Sequence, residues 1–247
     1  MRNSLRLALG GAVLLTLAMS GVAQAAHYSL FGDASIVTGG NPGNAAQLRS
    51  DVTVAPGYGG VDVSPADPIA WSDLGTLSYD FNVTNDSCGG GSPRFVLGID
   101  TNGDGSSDGE VVVHAGPSPT FTGCAAGWQS TGNLIGNNDA GRYDYSFIGG
   151  SPFSTYSAAP ASVQNGSVVE AYIVVDSSWS VPATGGDGEV TILVDNINVD
   201  SHLTTFEPNV PSSKDDCKNG GWMSLERADS TTFKNQGDCI QYFNTGK

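Results

Sequence analysis

The chain has 247 residues, 34 of them glycine, and only 14% of its side chains are charged, against roughly 25% in ordinary soluble domains. Its formal charge is −15, from 25 acidic and 10 basic residues. That balance excludes a nucleic-acid binder and a partner on anionic lipid, since both need clustered Lys and Arg.

Residues 1–25 read as a signal peptide. Arg2 and Arg6 precede an apolar stretch from Leu7 to Val22, and Ala23-Gln24-Ala25 puts small residues at the −3 and −1 positions of a cleavage site before Ala26. The stretch is too short and too interrupted for a membrane anchor, and no later run approaches the ~20 apolar residues that span a bilayer. An exported protein, extracellular or periplasmic and not inserted in a membrane, is the expectation. Its mature charge is −17, with 8 basic against 25 acidic residues. Cleavage one residue later would make His27 N-terminal, which resembles the copper-chelating start of lytic polysaccharide monooxygenases, with His114 or His202 as second ligand. It would also put Gln24 at −3, which signal peptidase disfavours.

Residues 26–209 form the expected β-domain. Leu77, Tyr79, Phe81 and Val83 alternate with Ser78, Asp80 and Asn82, the period of a half-buried strand. Arg94 to Ile99, Glu110 to His114 and Tyr143 to Ile148 are further strands. Val168 to Asp176 and Glu189 to Val199, richer in Val and Ile, belong in sheet interiors. Gly, Pro, Asn and Asp clusters separate them, and no long amphipathic helix intervenes. The fold class is all-β: a two-sheet antiparallel sandwich, jelly-roll-like.

The four cysteines suit an oxidising compartment and two disulfides. Three pairings exist. Cys88–Cys124 and Cys217–Cys239 are preferred because each joins one local region, and each closed loop would stabilise by about 3–4 kcal/mol.

Between two of the strands lies Asp100-Thr-Asn-Gly-Asp-Gly-Ser-Ser-Asp-Gly-Glu110. Side-chain oxygens of Asp100, Asn102, Asp104, Asp108 and Glu110, with the Ser106 carbonyl, make a donor set for a structural Ca²⁺, and Gly105 permits the turn. Glu110 falls one position short of the EF-hand glutamate and the flanks are strands, so the expectation is a calcium-binding hairpin loop. Without metal the same residues make a polar Asx/Gly turn.

Nothing names a reaction. No G-x-S-x-G, H-E-x-x-H or P-loop occurs. Glu170 and Asp176 share a strand face with Tyr172, and Glu189 shares a strand with Asp195, so either pair could serve a glycosidase. Solvent-facing carboxylates are the simpler account. Trp128, in a Gly/Ser/Thr-rich segment after Cys124, is the candidate for an exposed sugar-stacking ring, whereas Trp71 and Trp179 are expected in core or loop-anchoring positions.

The tail differs from the rest. Residues 26–213 carry 3 basic and 20 acidic side chains, residues 214–247 carry 5 of each. Ser213 and Asp216 suggest a capping box for a short helix ending at Gly220 or Gly221, and Asn235 to Phe243 suggests a further helical turn or two. A disulfide-pinned, partly helical appendage over 210–247 follows.

Ser213-Lys-Asp-Asp-Cys-Lys-Asn-Gly-Gly-Trp222 with Phe233-Lys-Asn-Gln-Gly-Asp-Cys239 resembles a recurring C-terminal motif of secreted bacterial β-sandwich proteins that carry no assigned activity. Val194-Asp-Asn-Ile197 is similar to the closing strand of carbohydrate-binding jelly rolls. The reading is therefore a secreted, non-catalytic binding or surface-interaction protein for a neutral polysaccharide or cell-surface glycan. An extracellular carbohydrate-active enzyme and a structural envelope or matrix protein are the alternatives.

Overall fold

The computed structural model describes residues 28–89, 91–180 and 186–247. The signal segment and His27 lie outside them.

Among the described residues thirteen strands form two antiparallel sheets: β1 Ser29–Gly32, β2 Ala34–Gly40, β3 Gly43–Asp51, β4 Gly59–Asp62, β5 Ile69–Ala70, β6 Leu77–Asn85, β7 Arg94–Asp100, β8 Gly109–His114, β9 Gln129–Ser130, β10 Tyr143–Asp144, β11 Ser167–Val175, β12 Glu189–Val199 and β13 His202–Thr204. The first sheet runs β1-β4-β11-β7-β8-β10, with β5 on β11; the second runs β2-β3-β12-β6-β9, with β13 on β12. The expected sandwich is thus the observed one. No helix among the described residues is long and apolar enough to cross a membrane.

Alternation fixes what faces what. Leu77, Tyr79 and Phe81 of β6 are buried, as are Phe95, Leu97 and Ile99 of β7 and Ile192, Val194 and Ile197 of β12, and they meet in one core between the sheets. Tyr79 packs edge-on against Phe95 at 5.1 Å, a direct tie between β6 and β7 across the sandwich. The strands before Leu77 escape the hydrophobic pattern because bulky inward residues are isolated among small ones: on β3 Leu48 stands between Ala46 and Ser50, all fully buried.

One expected strand is shorter. Residues 143–148 pair only at Tyr143 and Asp144, then turn through a 3-10 segment at Ser146–Ile148. The Asp144 carboxylate accepts from the Ser146 N–H at 2.8 Å, an Asx turn that competes with the ladder, and Gly149 closes it in the left-handed region.

Both disulfides form as preferred, Cys88–Cys124 and Cys217–Cys239. The tail gathers Cys217, Leu225, Phe233 and Cys239 into a small second core. Residues 214–220 make turns where a short helix was expected, and a 3-10 segment, Gly221–Ser224, starts where that helix should have ended. Ser213 and Asp216 do exchange hydrogen bonds: the Ser213 N–H donates to Asp216 at 2.7 Å and the Asp216 N–H to Ser213 Oγ at 3.3 Å. The final helix, α1, is Gln236–Thr245, capped by the Asn235 side chain.

The charge distribution predicts acid lability. The Arg49 guanidinium holds Glu189 down at about 2, and the Ser213 and Ser212 hydroxyls hold Asp216 at about 2. Asp139 is lowered by Arg142. A depressed carboxylate stabilises the fold above its unfolded pKa, and that contribution is lost as pH falls through its folded value. Burial also lowers His114, so the unfolded chain takes up that proton first, below about 6.5. Asp195, raised by burial, works in the opposite direction but alone. The melting temperature should therefore decline below about pH 6.5 and steepen below about 4. A flat profile from 7 to 3 would contradict these assignments.

Candidate functional site

The outer face of the first sheet carries a groove of about 1150 Å³. Its floor follows from the ladder. One row across the strands reads Asp62, Tyr172, Val96, Val112, Asp144, and spans about 19 Å at ordinary strand spacing. The row on one side reads Val174, Arg94, His114; on the other, Glu170, Gly98, Glu110. Val96, Val112 and Val174 form a buried apolar patch at the centre, with Phe31 and Tyr172 against it.

A β-bulge gives this face its chemistry. Between Val168 and Glu170 the β11–β7 register shifts by one residue. Val168 points into the core, yet beyond the bulge it is Ala171, Ile173 and Val175 that are buried. Glu170, Tyr172 and Asp176 thereby share the outer face, as their spacing suggested.

The polar groups are interlocked. Arg94 forks onto Asp176, with Nη1 donating at 2.6 Å to Oδ1 and Nη2 to Oδ2, and Nη1 also reaches Ser92 Oγ at 3.2 Å. Tyr172 reaches over β7 to donate its hydroxyl to Glu110 Oε1 at 3.0 Å. Burial first, then Glu110 and Glu170, push that phenol above its usual range. An added Cβ at Gly98 would sit 2.8 Å from Glu170 Oε2. Glu170 therefore leans its carboxylate over the glycine, towards Glu110.

Loops supply the walls. Phe147, Phe153, Trp179 and Tyr58 line the groove and are 61%, 68%, 68% and 41% exposed. They are four of the six exposed aromatic side chains among the described residues, so the groove concentrates what the rest of the surface lacks. Trp179 is not the anchor expected of it. Ser178, one residue earlier, is buried and bonded to Ser50 Oγ at 2.8 Å, and the 3-10 turn Ser178–Ser180 turns the indole outward. Trp71 does fill the core, stacked on Tyr156 at 5.6 Å.

At one end His114 stacks between Phe121 and Phe153, with centroids 4.9 and 6.3 Å away. Both phenylalanines have positive φ, 54° and 47°, which L-residues rarely adopt. The Cys88–Cys124 bridge ties down the loop that holds Phe121, and the Gly123 N–H donates to the Cys88 carbonyl at 3.3 Å.

The proposed metal loop joins β7 to β8. Asp100 is 5% exposed and accepts from the N–H groups of Asn102, Gly103 and Gly105, which lower its pKa, Gly105 foremost. Asp108 accepts from Thr101 and from the Asn102 amide, while Asn102 and Asp104 accept from the N–H groups two residues on. Glu110 stands apart, in the groove with Tyr172.

Trp128 is half-buried beside β9, at the edge of the second sheet and outside the groove. Asp195 is 1% exposed and holds the β2–β3 hairpin by accepting the Asn41 N–H at 2.7 Å; Glu189 pairs with Arg49 at 2.8 Å. Neither is placed as a catalytic pair. His114 and His202 sit on different sheets.

No family model and no curated protein matches the chain. Among solved structures it is similar to the family 11 carbohydrate-binding module of the cellulosomal cellulase Lic26A-Cel5E of Clostridium thermocellum, at 14% identity and TM-score 0.40, over 72% of this chain and 89% of that one. It is also similar to an exo-β-agarase, at 16% identity and TM-score 0.35, over 74% of this chain but 24% of that one. The agarase AgWH50C gives 12%, 0.36, 74% and 23%. The chain thus spans about a quarter of either agarase. At these scores the likenesses carry no function across.

Proposed function

We propose that the protein is an exported, non-catalytic carbohydrate-binding protein whose ligand lies in the groove on the outer face of the first sheet. One observation carries this: exposed aromatic rings, an apolar valine floor and a rim of carboxylates occur together in one open cleft. Sugar rings present C–H faces that suit aromatic platforms and hydroxyls that suit carboxylates. Five carboxylates, Asp62, Glu110, Asp144, Glu170 and Asp176, face a single guanidinium, and Arg94 is already paired. Acidic polysaccharides are disfavoured there. Two disulfides agree with an oxidising compartment and with export.

The glycosidase reading pairs Glu170 with Asp176, but Asp176 is committed to Arg94. The carboxylate left opposite Glu170 is Glu110, and their Cα atoms flank Gly98 at about 9.5 Å, two strand spacings. Affinity electrophoresis through soluble polysaccharides, with a parallel assay for new reducing ends, separates the two. Retardation without product is expected. Product formation that Glu170→Gln abolishes would replace binding by hydrolysis, and no retardation by any polysaccharide would refute both.

For the loop over 100–110 we propose a structural calcium ion held by Asp100, Asn102, Asp104, Asp108 and the Ser106 carbonyl, which are hard oxygen donors. Calcium should raise the melting temperature and EDTA lower it. An unchanged midpoint in both would leave the loop closed by its own hydrogen bonds.

A further inference from the structure

Donors and acceptors on the floor of the groove are out of balance, while the Trp179 indole N–H and the Tyr58, Thr120 and Thr122 hydroxyls stand on its walls. The guanidinium of Arg94 is committed to Asp176 and Ser92, and the Tyr172 hydroxyl to Glu110. On the acceptor side, Glu170 is exposed and accepts no hydrogen bond from the described residues. Glu110 spends one oxygen on Tyr172.

At one end of the groove His114 supplies no donor either. His114 is 7% exposed, its Nδ1 lies 3.1 Å from the Gly91 carbonyl, and its Nε2 is itself buried, with no hydrogen-bond partner among the described residues. A carbonyl only accepts, so Nδ1 carries the proton and Nε2 presents a lone pair. Burial favours this neutral form. His114, which also lines the groove, therefore adds no donor to it.

We propose that the groove selects a glycan bearing protonated amines, a polymer of 2-amino-2-deoxy sugars, with an ammonium seated against the carboxylates of Glu110 and Glu170. An ammonium brings three donors and no acceptor, the complement of this floor. A neutral sugar brings an acceptor with every hydroxyl. Gly98 lets the Glu170 carboxylate lie across β7, since any side chain there would strike Glu170 and Ser107. The exposed rings of Trp179 and Phe153 favour a pyranose chain over a basic peptide, whose flexible stems have no flat face to stack. The inference rests on the glycan-binding reading and narrows its ligand.

The test is calorimetry in mildly acidic buffer, where amino sugars are protonated. The probes are a β-1,4-glucosamine hexamer, its N-acetylated counterpart, an unsubstituted β-1,4-glucose hexamer and hexalysine. The glucosamine hexamer should bind at least about tenfold tighter than each of the others at low salt, and lose that margin at about 1 M salt, where the Debye length is about 3 Å. Glu170→Gln should weaken it about tenfold with the melting temperature unchanged, and Glu110→Gln should do likewise. Equal or tighter binding of a neutral hexamer would overturn the amine preference and leave the glycan groove standing. Tighter binding of hexalysine would overturn the preference in favour of a basic peptide. No binding by any probe would remove both inferences.

Discussion

Replacing Phe95 by alanine is expected to destabilise the sandwich by about 3–5 kcal/mol, the range for truncating a fully buried aromatic. Phe95 is completely buried on β7, beside the strand residues that floor the groove. Its edge-on contact with Tyr79 ties the two sheets together, so the loss includes both burial and an aromatic pair. One neighbour moderates the cost. Among the described residues no group reaches the Tyr79 hydroxyl, although the residue is 1% exposed, and its pKa is driven well up by burial. A cavity at position 95 would let water reach that hydroxyl. Tyr79→Phe removes the orphan outright and should be neutral or stabilising by about 1 kcal/mol. Chemical denaturation of both variants checks the pair. A mild Phe95→Ala, or a Tyr79→Phe that costs as much as a core truncation, would mean the hydroxyl is satisfied and the contact dispensable.

Removing the Cys217–Cys239 bridge, with both residues replaced by serine, should unfold the tail and leave the sandwich folded. The bridge closes a loop of 22 residues, worth about 3 kcal/mol in the chain-entropy model. Little else holds this segment. Its core is Leu225 and Phe233 around the two cysteines, with Trp222, Ile240 and Tyr242 half-buried. Arg227 lies 4.7 Å over Phe233 and pairs with Asp238 at 2.7 Å, contacts that need the disulfide to bring α1 back towards Leu225. A core this small does not outweigh the entropy of ordering the chain. Attachment to the sandwich is also thin: the Glu226 N–H donates to the Asn209 carbonyl at 2.9 Å, and the Asn209 amide to Ser224 at 3.0 Å. Hydrogen exchange should show amides of 212–247 losing protection while β7, β11 and β12 keep theirs. Uniform loss across the chain would make the tail part of the main cooperative unit.

The central strands were legible because bulky side chains alternate in them. Leu77, Tyr79 and Phe81 announce β6, and the Val/Ile-rich run from Glu189 to Val199 is β12 residue for residue. The first four strands were not, because their inward Leu30, Ile36, Leu48 and Val61 are isolated among alanine, serine and glycine and give no sustained hydrophobic period. The disulfides were readable from locality. The groove was half visible: Glu170, Tyr172 and Asp176 could be placed on one face, but their partners Arg94, Gly98, Glu110 and His114 come from other strands. Only the register, with its bulge before Glu170, aligns them. Phe147, Phe153 and Trp179 come from loops whose turns no periodicity describes. Trp179 faces outward because Ser178 is held by Ser50, a contact 128 residues away in sequence.

The most direct test compares two tryptophans. Trp179→Ala should weaken binding of the best glycan by about 30-fold, as expected of an exposed aromatic anchor worth about 2 kcal/mol, with an unchanged melting temperature. Trp128→Ala, at the edge of the other sheet, should leave affinity within about twofold, the range of a residue outside the contact. Loss of binding in Trp128→Ala with full binding in Trp179→Ala would move the site to the second sheet and contradict the groove.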